Sequence, residues 1–347
     1  MQLLTLDFAL VLEKLILIAI VVTIALVIAM YSTYAERKVA AFMQDRRGPN
    51  RAGPFGILQP LADGVKLFFK EEIIPSHSNR GLFVLGPALA MLTAMMTCAV
   101  IPWGNHLELF GRIINLQIAD INIGILYVFG VVSLGVYGIM IGGWASNNKF
   151  SLLAALRGAS QVISYELAMG VSIIALIMLT GSLSLKTIVE QQMSGYWNII
   201  YQPLGFFIFF VCALAECNRA PFDLAEAENE LNMGYHQEYS SMKLGFYLFA
   251  EYVNMFMSCT IMATLYFGGY DIPFLNESTL DPNLAGILGI IALFAKSFFL
   301  IFVFMWIRWT LPRFRYDQLM RLGWKSLIPL ALINMVVTAL VALWLNK

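Results

Sequence analysis

Eight apolar segments govern what this chain can fold into. They lie near residues 12–34, 82–102, 121–144, 161–182, 201–216, 244–267, 285–309 and 326–345. A helix needs about 20 mostly apolar residues to cross a bilayer. Inside hydrocarbon every backbone N–H and C=O must be satisfied within the protein, and for segments of this length that means helices. The expected fold class is an all-α integral membrane protein with about eight transmembrane helices, forming a single polytopic domain over 1–347. Only 13% of the residues are charged, against about a quarter in soluble domains. The first apolar run is expected to stay as a span. Its cations, Arg37 and Lys38, follow it, and no small-residue cleavage site closes it.

Eight spans divide the connections between two sides. One side holds 35–81, 145–160, 217–243 and 310–325. Together with Arg308 these carry seventeen of the twenty-two lysines and arginines. The other side, with both termini, carries Lys14, Arg112, Lys186 and Lys347, and Lys296 lies within a span. The positive-inside bias places the four basic loops inside and both termini outside. The inside loops are the long ones, so function is expected on that face. Zero net formal charge gives no expectation of a nucleic-acid partner.

The first inside loop contains turn signals at Gly48-Pro49-Asn50 and Gly53-Pro54, then an apolar stripe at Leu58, Leu61, Val65 and Phe68. This spacing predicts an amphipathic helix over Ile57–Lys70, too short and too polar to span and suited to the bilayer interface. It is either a membrane-resting loop or a doorway for a lipid-soluble ligand.

Residues Ala215–Ser240, AECNRAPFDLAEAENELNMGYHQEYS, sit between two apolar runs. From Glu216 to Glu251 there are seven carboxylates: Glu216, Asp223, Glu226, Glu228, Glu230, Glu238 and Glu251. In that stretch Arg219 and Lys243 oppose them. Glu166 lies in another span. Ionisable groups at such depth are costly, by roughly 2.5–3.5 kcal/mol each at a helix centre on an insertion scale. Two readings stand: a satisfied network of ion pairs, for example Lys296 with one glutamate, or a chain of carboxylates that share and pass protons. Basic clusters at Arg37, Lys38, Arg46, Arg47 and Arg51, and at Arg308, Arg313, Arg315 and Arg321, suit topology and anionic lipid. Glu36, an acid within the first cluster, points to a specific partner.

Cys98, Cys212, Cys217 and Cys259 show no iron–sulfur spacing and are expected in core packing. The three histidines fall in separate loops, so no metal site is expected. Neither a phosphate-binding loop, a dinucleotide fingerprint, HExxH nor GxSxG occurs.

These motifs resemble those of the H subunit of NADH–quinone oxidoreductase, respiratory complex I, whose mitochondrial counterpart is NADH dehydrogenase subunit 1. The likeness covers nearly the whole chain: Ala35-Glu36-Arg37-Lys38, Arg47-Gly48-Pro49-Asn50, Leu58-Gln59-Pro60, Ala62-Asp63, Lys66-Leu67, Gly135–Arg157, ISYE at Ile163–Glu166, AECNRAPFDLAEAENEL, GYHQEYS and RWTLPRFRYDQLM. One departure is Leu231-Asn232-Met233-Gly234, where small or aliphatic residues usually precede the glycine. The resemblance implies a subunit at the joint between membrane and peripheral arms. It also implies that the first inside loop and the acidic loop line a quinone tunnel. Arg37, Asp63, Arg219, Phe222, Asp223 and Arg308 would lie near the quinone or its access. Glu36, Glu166, Glu216, Glu226, Glu228, Glu238 and Glu251 would form a polar path. Quinone would be the substrate, with FMN and iron–sulfur clusters held by partner subunits, and no residue of this chain catalytic alone. Its partners would be the quinone-site subunits of the peripheral arm, the pump subunits of the membrane arm and the lipid bilayer. Its location would be the bacterial inner membrane, with the mitochondrial inner membrane as alternative.

Three other functions compete. A free-standing ion transporter predicts midplane sites, broken helices or inverted repeats. A passive anchor leaves the acids within spans unexplained. The membrane subunit of an energy-converting hydrogenase differs in its electron partner.

Overall fold

A computed structural model describes residues 8–109, 112–226, 228–273 and 281–345. The helical fold expected from the apolar segments is present. Among the described residues seven helices are long and apolar enough to cross a membrane. In chain order the elements are α1 (Phe8–Met43), α2 (Gln59–Phe69), α3 (Arg80–Met96), β1 (His106–Leu109), β2 (Arg112–Asn115), α4 (Gly124–Ala145) and α5 (Lys149–Thr180). There follow α6 (Leu185–Met193), α7 (Asn198–Tyr201), α8 (Pro203–Glu216), α9 (Glu228–Leu231), α10 (Ser241–Tyr266), α11 (Pro282–Thr310), α12 (Tyr316–Arg321) and α13 (Ile328–Leu345). A π-helical turn, Leu322–Leu327, fuses α12 to α13.

The fifth expected span, 201–216, differs. Helix α8 has 14 residues, which at 1.5 Å per residue is about 21 Å, short of a hydrocarbon core of about 30 Å. Irregular backbone at such depth is tolerated where protein surrounds it and satisfies its polar groups. Both ends of α8 meet that condition. At its start Gln202 donates to Thr338 Oγ1 (2.6 Å) and accepts from Asn334 Nδ2 (2.8 Å), both on α13. At its end the buried Gln161 of α5 donates from Nε2 to the carbonyls of Ala215 and Phe222, each at 2.7 Å.

Two of the basic loops are more helical than their sequence suggests. Helix α1 runs 36 residues, carrying Glu36 and Arg37 on its last turns. Helix α5 begins at Lys149, where the Asn148 side chain caps Phe150 N at 3.0 Å, so most of 145–160 is helix. The connections at the opposite ends of the spans also hold structure that polarity gave no sign of: the antiparallel hairpin β1–β2 and helix α6. The expected interfacial helix is α2, within the expected limits. Leu58, Leu61, Val65 and Phe68 are exposed, Phe68 by 71%, as a lipid-facing stripe would be.

Close helix packing uses small residues in place of a hydrophobic drive between helices. At Gly142 of α4 a methyl would run into the Tyr247 hydroxyl. That hydroxyl donates to Gly138 O at 3.1 Å, and the Tyr239 hydroxyl donates to Gly142 O at 3.3 Å. Lys296, a cation within a span, is held by backbone as well as by ring contact. Its ammonium donates to the carbonyls of Phe267, Gly269 and Asp271 at 2.7, 2.9 and 2.6 Å. It also lies 4.6 Å from the Trp197 ring. The four cysteines are buried in the helix core, consistent with packing.

Candidate functional site

The acidic loop is clamped from several segments. Arg313 donates to Asp223 O, and its guanidinium stands 3.6 Å from the Asp223 carboxylate. Phe314 N donates to Pro221 O at 3.2 Å, and Arg157 of α5 pairs with Glu230 at 2.7 Å. At the loop's turn Asn232, Met233 and Gly234 all have positive φ. At Gly234 a Cβ would strike the Ala225 carbonyl, so the backbone requires glycine there. Phe222 is buried edge-on to Tyr165 at 5.4 Å, with Phe314 at 5.6 Å.

A cavity of about 500 Å³ opens between α1, α2, α10 and α11. Its apolar wall comes from residues such as Met30, Leu67, Leu248 and Phe249. Its polar wall includes Glu36, Arg37, Asp63 and Arg308. Arg37 pairs with Asp63 at 2.9 Å. Helix α2 is docked there by Ser241, whose hydroxyl donates to Leu67 O at 3.2 Å, and by Ser240, which accepts from Ile73 N at 2.9 Å.

Glu36 is 5% exposed and fully engaged. Arg308 donates to Oε1. The Tyr252 hydroxyl donates to Oε2 at 2.7 Å, and Arg219 Nη1 stands 3.7 Å from the same oxygen. Arg219, also 5% exposed, lies 4.1 Å from the Tyr252 ring centre and reaches Glu251 Oε2 at 3.6 Å. Glu251 accepts from the Tyr235 hydroxyl at 3.1 Å. Beyond it a cavity of about 50 Å³ touches both Glu251 and Glu216, and a second of about 30 Å³ continues from Glu216 to Ser258. Each is large enough to admit water. Glu166 accepts from Ser133 and lies within electrostatic reach of Glu216.

The structure thus brings Glu36, Arg219, Glu251 and Glu216 into one line, with Glu166 beside its end. Arg37, Asp63 and Arg308 stand at the large cavity. Phe222 and Asp223 do not line that cavity; Asp223 lies within electrostatic reach of Arg308 and Arg219, and Glu226 lies near Asp223 and Arg219. Glu238 is elsewhere: it accepts from Asn148 Nδ2 at 2.7 Å and lines a surface cavity with His77 and Lys149. The side chain of Glu228 lies outside the described residues. In the loop, burial above all and then the Glu226 charge push the Asp223 carboxyl up to about 7. The guanidinia of Arg313, Arg308 and Arg219 pull the other way.

The ion-pair reading of the acids describes some of them and leaves others. Glu36, Asp223 and Glu230 find cations far away in sequence, at Arg308, Arg313 and Arg157, which the local count of two cations misses. Glu216 and Glu166 form no ion pair among the described residues. Sequence reasoning also missed Tyr252, Tyr235 and Gln161. For Tyr252 a signal existed: Leu244, Leu248 and Tyr252 recur at i, i+4 and i+8, one face of α10, and all three line the cavity.

Residues 15–339 match the family model described as NADH dehydrogenase. An H subunit of NADH-quinone oxidoreductase from Cytophaga hutchinsonii is 67% identical over 327 residues, covering 94% of this chain and 96% of that relative. The H subunit of the Flavobacterium johnsoniae oxidoreductase is 62% identical, covering 97% of each chain. One from Geobacter sulfurreducens is 49% identical, covering 93% of each.

Proposed function

This chain belongs to the NADH dehydrogenase family as the membrane-embedded H subunit of the multisubunit NADH-quinone oxidoreductase, and from that premise we propose that it forms part of the quinone site and couples quinone reduction to proton translocation. The observation that carries the proposal is the contact between the large cavity and the carboxylate line. One wall residue, Glu36, belongs to both.

The quinone ring and its first isoprenoid units suit a pocket that is mostly apolar with a few convergent polar groups. The exposed stripe of α2 offers access from the bilayer. Reduction of quinone changes charge at the polar wall. Glu36 is held between two arginines, so its field acts on Arg219 and through it on Glu251. Glu251 and Glu216 share a cavity that admits water, a route by which a proton can pass. A shift in their protonation then biases pump subunits elsewhere in the membrane arm, a coupling between distant sites. Glu166 extends the line, and Glu226 and Glu228 lie on its loop side.

The chain supplies binding and proton positions; electrons come from partners. Its four buried cysteines lack the sequence spacing of a cluster-binding motif. FMN and the iron–sulfur clusters are assigned to peripheral-arm subunits. The protein functions as a single polytopic unit in the bacterial inner membrane, with the acidic loop inside and both termini outside.

A photoreactive quinone analogue applied to the assembled complex tests this reading. It should label residues 36–70 or the cavity face of α10, and native quinone should suppress the labelling. Labelling confined to other subunits overturns the reading.

A further inference from the structure

Tyr252 meets the large cavity, Glu36 and Arg219 together. Its two parts do different things. The hydroxyl donates to Glu36 Oε2 at 2.7 Å while Arg308 holds Oε1, so neither carboxylate oxygen is left to swing. The ring lies 4.1 Å from the Arg219 guanidinium carbon, a cation–π distance. It thereby supports the guanidinium at a place where Nη1 and Nη2 reach Glu36 and Glu251 at 3.7 and 3.6 Å. These separations exceed ordinary hydrogen-bond length, so Arg219 is not fastened by the carboxylates alone.

We propose that Tyr252 is a positioning residue: its hydroxyl fixes Glu36 and its ring fixes Arg219, so that a charge change in the cavity is transmitted to Glu251 rather than absorbed by side-chain rotation. The inference rests on the quinone reading above and adds to it the residue that transmits the change.

Tyr252→Phe separates the two parts, since it keeps the ring and removes the hydroxyl. Quinone reductase activity is measured per assembled complex in membranes, with a short-chain quinone. A hydrogen bond to a charged group contributes enough that kcat should fall about tenfold. KM should stay within about twofold, because the cavity wall keeps its ring. Tyr252→Leu, which also removes the support under Arg219, should lower kcat further. An unchanged kcat in Tyr252→Phe overturns the proposal, as does failure of that variant to assemble, which would make the hydroxyl structural only. Photolabelling keeps the two ideas apart. Labelling near 36–70 in both wild type and Tyr252→Phe, with kcat unchanged, defeats this inference alone. No such labelling in the wild type defeats the quinone reading and the inference with it.

Discussion

Replacing Arg219 by methionine strips the cation from between Glu36 and Glu251. The two acids are not affected equally. Glu36 retains Arg308 and the Tyr252 hydroxyl, whereas Glu251 retains the Tyr235 hydroxyl and is stranded as a buried acid. Breaking a buried pair by removing one partner costs about 3–5 kcal/mol, and here most of that falls on Glu251. Glu251→Gln should therefore relieve Arg219→Met. With no carboxylate to strand, the double variant should be less harmed than the sum of the singles, by about 1–3 kcal/mol for residues in direct contact. The assay is the half-time of thermal dissociation of the solubilised complex, because large assemblies unfold irreversibly and their stability is read as a rate. Measured for wild type, both singles and the double, the coupling should lengthen the double variant's half-time at least about fivefold beyond the product of the single effects. Purely multiplicative effects would refute the pairing, and so the line from Glu36 to Glu251.

Other expectations follow from single features. The Asp223 carboxyl is raised to about 7, so its contribution to stability is complete below its unfolded value near 4 and is lost as pH rises through about 7. Dissociation half-times compared at pH 5 and pH 8 should show this fall, and Asp223→Asn should flatten it; an unchanged trend in that variant would count against the assignment. Gly142→Ala drives a methyl into the Tyr247 hydroxyl, an overpacking worth about 1–3 kcal/mol. It should lower the amount of assembled complex, with partial recovery on adding Tyr247→Phe; wild-type assembly of Gly142→Ala alone would refute it. For orientation, a membrane-impermeant thiol reagent should reach Tyr196→Cys from outside and Ser76→Cys from inside; the reverse pattern would invert the topology.

The membrane passes were legible because transfer of backbone into lipid is demanding enough to be written as hydropathy. Their ends were less so. Polar residues such as Arg157 continue α5, where Arg157 pairs with Glu230 of the acidic loop, and hydropathy does not register that. The short α8 depends on Gln161, Gln202 and Asn334, amides that look unremarkable alone and matter through what they face. Among the site residues, Glu36, Arg37, Asp63, Arg308 and the acids of the loop stood out as charges near apolar runs. Their pairing did not. Arg308 meets Glu36 across 272 positions of sequence, a contact that follows from helix packing and not from any local pattern. Tyr252 was hidden for a related reason. Next to Glu251 it reads as a boundary aromatic, yet the helix turns it toward the large cavity while its neighbour shares a smaller one with Glu216.

If the carboxylate line moves protons in step with quinone reduction, Glu216 is the residue that shows it best. It stands between the two small cavities and forms no ion pair among the described residues. Glutamine matches its shape and cannot release a proton. The decisive measurement is the proton-to-electron ratio of Glu216→Gln complex in sealed vesicles, with assembly and quinone reduction followed in parallel. Assembled complex with a reduced ratio is the expected result; a wild-type ratio in that variant would contradict the relay.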